Sequence, residues 1–428
     1  MTKRKCTASV CAFALCLVLL AGCTLNIDLP GNSSSGESLS LQSGSDGITE
    51  VLPGQRPPDF DSPTDSEDPI SHEERWGYTH LDQSAEKNLY SQIYAAVLDC
   101  REGIKFSKDT TALMFEKAMN ACLSDFPEFF HMSRGYTVYY KSTDKVKISA
   151  VEFQYASEGS SEQIAEIWQR EKQQLEVKAD ELLSDIEKGA SEWQIALYVH
   201  DALIRNCTYD QTFQAPHTSD AYGAVVLGKA VCEGYADAFQ YLLNRADMEC
   251  LFVAGTALDE NGQSVLHAWN KVRIGGKFYN VDVTWDGVAA PAVSHRYFNL
   301  TDSQMQYDHV FAGSERENST APFNYFLPDA RDESMNFYTV TGAVADDLAQ
   351  LKNVAANAIV YGAEANYKCA EISVRNDLLD SAMENIVDFY NMKDILSRAA
   401  KRGAAGIKIT TYTQRSGSNY TVVKLNFD

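Results

Sequence analysis

The stretch "VLHAWNKVRIGGKFYNVDVTW", residues 265–285, constrains the fold of this 428-residue chain more than any other. Two runs of alternating apolar and polar residues flank Gly275-Gly276. A Gly-Gly pair between such runs predicts a two-residue hairpin turn, because its central positions require positive φ. The turn sets the register: Ile274 faces Lys277, which places Trp269 opposite Asp282 and His267 opposite Thr284. Side chains alternate faces along a strand, so His267, Trp269, Asp282 and Thr284 are expected on one face. His267 and Asp282 become diagonal neighbours, about 7–8 Å apart at Cα and within side-chain reach. A carboxylate there would fix the imidazole tautomer and leave the second ring nitrogen for another group.

A partner for that nitrogen lies upstream, in "KAVCEGYADAFQYLLNR" (229–245). Tyr235, Ala238, Phe239, Leu242 and Leu243 recur at i, i+3, i+4, i+7, i+8, which predicts an amphipathic helix beginning near Val231–Glu233. Cys232 then sits in the first turn, where unpaired N–H groups and the helix dipole favour a thiolate and could receive an oxyanion. Gly234 is expected to leave room for a substrate to approach the backbone. Taken alone, this segment fits a buried structural cysteine equally well, and His267 alone fits a satisfied core histidine. The hairpin that sets His267 beside Asp282 favours the catalytic reading.

The rest of the chain supplies context. Lys3, Arg4 and Lys5 precede an apolar run, Val10 to Ala21, of about a dozen residues. That is too short to span about 30 Å of hydrocarbon and reads as an export signal. Its end, Leu20-Ala21-Gly22-Cys23, resembles the bacterial lipobox, which implies removal of residues 1–22 and lipidation of Cys23. Residues 23–75, with "GNSSSGESLSLQSGSDG" and "PGQRPPDFDSPTDSEDP", are too rich in Ser, Gly, Pro and acid to bury a core and are expected to be a disordered tether.

Residues 76–190 read as a small α+β domain, with strands in "GYTVYYK" and "KISAVEFQY" and one long charged helix from Ser161. Residues 191–325 hold the Cys, His and Asp. "FLPDARDES" (326–334) reads as a linker. Residues 335–428 read β-α-β-α-α-β-β, beginning with a strand at "NFYTV" and closing with a hairpin around Ser416–Ser418.

The formal net charge of −22 excludes nucleic acid as a natural partner, since binding it calls for a basic face. The mature chain would keep Cys100, Cys122, Cys207, Cys232, Cys250 and Cys369 besides Cys23. None forms a C-x-x-C pair, so neither a zinc site nor any other metal or cofactor is expected.

The run from about Trp193 to Val310 resembles the transglutaminase-like superfamily in its bacterial exported branch. It does so through "VHDALIRNCTYD", "SDAYGAVVLGKAVCEGYADAFQYLL", "HAWNKVRIGGKFYNVDVTWD" and "HRYFNLTDSQMQYDH". The resemblance implies an α+β, papain-like core in which a Cys-bearing helix packs on an antiparallel sheet carrying His and Asp. Small N- and C-terminal α+β domains would flank it. It maps the superfamily's Cys, His and Asp onto Cys232, His267 and Asp282. Tyr222, Trp269, Trp285 and His309 are the candidates to line a substrate cleft. Such a site transfers acyl groups through a thioester. Water as acceptor makes a cysteine peptidase or amidase, which this branch favours; a Lys amine makes a crosslinking transglutaminase; a non-catalytic peptide-binding lipoprotein is the third reading. The expected partners are a peptide or protein substrate, cell-wall stem peptides among them, and the outer face of a bacterial membrane through Cys23.

Overall fold

A computed structural model describes residues 48–51, 53, 57–60, 74–259, 261–288, 293–311 and 327–427. The export signal, Cys23 and most of the tether lie outside the described residues. Among the described residues no helix is long and apolar enough to cross a membrane.

The chain divides into two compact units. The first comprises Met1–Cys122, Phe129–Trp168 and Ala257–Leu266; the second comprises Leu123–Glu128, Gln169–Thr256 and His267–Asp428. The first unit holds a four-stranded sheet in the order Ile48–Val51, Met132–Tyr140, Lys147–Tyr155, Gly103–Thr111. Its central pairs are antiparallel, whereas Ile48–Val51 joins parallel at the edge. That edge strand corrects the expectation of disorder at residues 48–51, inside the stretch 23–75. "ITEV" carries β-formers, and pairing on an open sheet edge supplies backbone partners that composition cannot reveal. Phe60, in the same stretch, is also buried. Trp168 is core, stacked on His131 with ring centroids 4.0 Å apart.

The second unit carries, but for Ala257–Leu258 and Ser264–Leu266, a five-stranded sheet in the order Phe298–Leu300, Lys277–Val281, Ser264–Ile274, Cys250–Leu258, His309–Phe311. The Gly275-Gly276 turn has φ of 59° and 77°, as a two-residue hairpin demands. Its ladder runs from Ile274↔Lys277 to Asn270↔Val281 in the register set by the sequence. The helix Glu192–Asn206 opens with a Ser191–Gln194 capping box and packs against the helix Cys232–Arg245.

Residues 335–427 add a second four-stranded sheet to this unit, ordered Val344–Ala345, Cys369–Arg375, Tyr420–Phe427, Ile409–Ser416. The expected strand at "NFYTV" is instead a short helix, Phe337–Thr341. Asn336 caps it by accepting from Tyr338 N, and Phe337 stacks flat on His295 at 3.9 Å. Capping and a tertiary ring contact override the β-propensity of Phe, Tyr, Thr and Val. The stretch read as a linker is pinned down. Ala330 N donates to Asp302 Oδ2, while Asp332 accepts from Tyr279 Oη and pairs with Lys277.

Candidate active site

The nucleophile position is built by the loop that follows Thr208–Tyr209. Asp210 is fully buried and gathers the loop around itself. It accepts from Thr212 N and Oγ1, Gln214 N and Ala215 N, and pairs with Lys229 Nζ at 3.1 Å. Lys229–Ala230 then pairs in parallel with Thr208–Tyr209, and Val231 N donates to Thr218 O. Val231 is extended and is the N-cap of the helix Cys232–Arg245 without any side-chain cap. The N-cap side chain therefore leaves the first-turn N–H groups beside Cys232 to other acceptors, which suits them to a developing oxyanion.

Gly234 serves packing rather than substrate approach. A Cβ there would lie 2.8 Å from Thr218 O and 3.0 Å from Asp220 O, so the helix start is pressed against loop backbone. This corrects the expectation that Gly234 clears a path for substrate.

His267 Nε2 lies 2.7 Å from Asp282 Oδ2, and Cys232 lies near enough to the ring to favour its charged form. With Nε2 committed to the carboxylate, Nδ1 is the nitrogen left for the thiol. Burial opposes charge on this ring, but Asp282 and Cys232 outweigh it and raise His267 to about 9. Burial likewise opposes the charge on Asp282, yet His267 and His309 hold its carboxyl well below the usual range.

Asp282 reaches His267 by a different route from the strand geometry expected. The ladder stops at Val281, and Asp282 is the N-cap of a short helix, Val283–Gly287. Its Oδ1 accepts from Trp285 N at 3.0 Å, which fixes the carboxylate and turns Oδ2 toward His267. Thr284 is accordingly in a helical turn and not on the strand face.

Three of the four cleft candidates have other roles. Trp269 is completely buried in a cluster with Val253, Tyr297, Leu300 and Met305, its Nε1 donating to Asn280 Oδ1. Tyr222 spends its hydroxyl on Gln174. His309 is fully buried and lines no cleft; its Nε2 lies 3.1 Å from Asp282 Oδ2 and its Nδ1 2.7 Å from Asp308 Oδ1. Trp285 is half-buried beside His267, ring centroids 5.3 Å apart, and remains placed to form a wall. The "DH" at 308–309 was the signal for His309, but a dipeptide cannot say which carboxylate it will meet 27 residues away.

Two buried trios, His267–Asp282–His309 and His200–Asp201–His295, bring one ligand-type atom per residue within 4.8 Å. In both, hydrogen bonds between ring nitrogens and carboxylates account for that closeness. All six described cysteines are buried and stand outside any disulfide. Burial pushes Cys100 and Cys207 up to about 11 and Cys369 up to about 12.

Residues 180–283 match the model of the Transglutaminase-like superfamily. No curated protein matches the chain. Similar solved structures include a candidate cysteine protease from Cytophaga hutchinsonii, at 19% identity and a TM-score of 0.22, covering 27% of this chain and 37% of that one. Another, described as a TGase, has 14% identity and a TM-score of 0.26 over 55% of this chain and 64% of that one. The chain thus spans less than two thirds of either, and the assignment rests on the sequence match. Over residues 180–283 the chain is therefore similar to the transglutaminase-like superfamily.

Proposed function

We propose that this domain is a cysteine peptidase or amidase, carried by a lipoprotein anchored through Cys23 at the outer face of a bacterial membrane. The observation that carries the reading is His267 held 2.7 Å from Asp282 with Cys232 beside it, at the first position of a helix whose N-cap offers no side-chain acceptor. In this reading the Cys232 thiolate attacks an amide carbonyl and forms a C–S bond. The oxygen takes the negative charge beside the first-turn N–H groups. His267, holding the thiol proton, passes it to the departing amine as the C–N bond breaks, and a thioester remains. Water, deprotonated by His267, cleaves the thioester and restores the thiol. Asp282 holds His267 in the tautomer and orientation that both steps need.

The anchor and tether suit substrates of the cell envelope, including stem peptides of the wall. Intact-mass spectrometry of protein incubated with envelope peptides should show an acyl adduct on Cys232 that decays with release of free acid. Incorporation of a labelled primary amine in preference to water would make the protein a crosslinking transglutaminase instead. Absence of any adduct or turnover would leave a non-catalytic peptide-binding protein, whereas full activity in Cys232→Ala would show that Cys232 is not the nucleophile.

A further inference from the structure

His309 stands outside the matched stretch, yet it shares Asp282 Oδ2 with His267: the two Nε2 atoms lie 3.1 and 2.7 Å from the same oxygen. Its other nitrogen, Nδ1, is 2.7 Å from Asp308 Oδ1. An ionised carboxylate only accepts, so a ring between two of them must carry a proton on each nitrogen. Both carboxylates have reason to stay ionised. Asp282 also accepts from Trp285 N, and Asp308 Oδ2 accepts from Tyr297 Oη at 2.7 Å and Arg296 Nη2 at 3.0 Å.

The charged or titratable groups facing His309 are thus Asp282, Asp308 and His267, with Arg296 and Tyr297 behind Asp308. The rings of Trp285, Trp269 and Tyr297 lie at 4.8, 5.1 and 5.4 Å. Burial opposes a charge on His309, and its two carboxylate partners outweigh it and raise its proton affinity.

We propose that His309 is a charged positioning residue of the active site. Held as an imidazolium between Asp282 and Asp308, it aims the Asp282 carboxylate and tempers the basicity that Asp282 confers on His267. A general acid–base group works best when its proton affinity lies near the working pH. Asp282 acting alone on a buried ring would hold the His267 proton too firmly for delivery to a leaving amine. A second positive charge, with ring centroids 5.3 Å apart, pushes back. At an effective dielectric constant of about 20, a unit charge at that distance shifts a titration by up to about two pH units.

The kinetic consequence rests on the acyl-transfer reading, but the protonation states do not, so the first measurements use no substrate. Histidine-ring NMR of the full chain in the Cys232→Ala background, where that thiol cannot titrate alongside, should show His309 protonated on both nitrogens at pH 7. A neutral His309 ring at pH 7 overturns the proposal without any change to His309. In His309→Gln the His267 midpoint should rise by about one unit or more, whereas His309→Arg, which keeps the charge, should hold it near the parent value. An unmoved or lowered His267 midpoint in folded His309→Gln also overturns it. With Cys232 restored, the alkaline limb of the kcat/KM profile should move up in His309→Gln. A purely structural His309 would change the height of that profile and leave its midpoint in place.

Discussion

Among its described residues the second unit contains two buried histidine–carboxylate networks, one of which reaches the cysteine at a helix start. The first runs Cys232–His267–Asp282–His309–Asp308. The second joins His200 to Asp201 and Asp286, and His295 to Asp201 and Glu371, at 2.8 to 3.2 Å. In both, burial opposes the charge on the histidines and carboxylate partners restore it; His267 and His295 both rise to about 9. Raised histidines and paired carboxylates therefore do not by themselves mark an active site. What distinguishes the first network is an uncapped helix start carrying a thiol. The second ties the helix Glu192–Asn206, the short helix Val283–Gly287 and the strand Cys369–Arg375 together through buried charges. The two meet in that short helix, since Asp282 caps it for the site and Asp286 ties it to His200 of the second network.

The comparison breaks most sharply at the nucleophile. Cys232→Ala and His267→Ala should each lower acyl transfer by about 10⁴-fold or more while circular dichroism still reports a folded protein. Equal loss from His295→Gln, per folded molecule, would erase the distinction between the networks. Asp282→Asn should cost less, about 10²–10⁴-fold in kcat, because it orients rather than reacts. Steady-state kinetics on the same substrate would rank the three.

The second network should instead appear in stability. Truncating His295 to Ala removes the cation shared by Asp201 and Glu371, leaving Asp201 with His200 and Arg205 and Glu371 with Lys424, and urea denaturation should register a loss of about 3–5 kcal/mol. Its pH dependence has a defined direction. The folded protein raises His295 to about 9 from an unfolded value near 6.5. Its stabilisation is therefore complete below about pH 6.5 and fades as the pH climbs through about 9, with a loss of about 3 kcal/mol at most. His267 adds a similar slope, so His295→Gln should flatten the fall without removing it. Asp201, lowered against the opposing effect of burial by its two histidines, contributes in the opposite direction, losing stabilisation as the pH falls below about 4. The smallest effect is expected of Gly234→Ala, whose Cβ would press on Thr218 O and Asp220 O. Overpacking of this kind costs about 1–3 kcal/mol, measurable as a lowered Tm.

Much of the site was legible where its causes are local. The spacing of Tyr235, Ala238, Phe239, Leu242 and Leu243 gave the helix, and with it the place of Cys232 in the first turn. Gly275-Gly276 gave the turn and hence the ladder down to Asn270↔Val281. Beyond Val281 the same reasoning failed, because the strand pattern of "VDVTW" does not register that Asp282 can cap Trp285 N and end the strand. A capping residue competes with a strand residue on nearly equal local terms, and the outcome was settled by what surrounds it.

The sequence by itself determined the helix that begins at Cys232 and the hairpin that presents His267, since both follow from side-chain period and turn chemistry over a few residues. It also determined the acidic balance of the chain, a plain count. Only the tertiary structure decided that Asp282 serves two histidines at once, that Asp210 organises the loop before the nucleophile, that Gly234 is held small by Thr218 and Asp220, and that His295 stacks on Phe337. Several of these pairings join groups tens of residues apart, as with His309 and Asp282. None has a periodic signature, because a buried charge takes whichever partner the closed chain brings within hydrogen-bond reach.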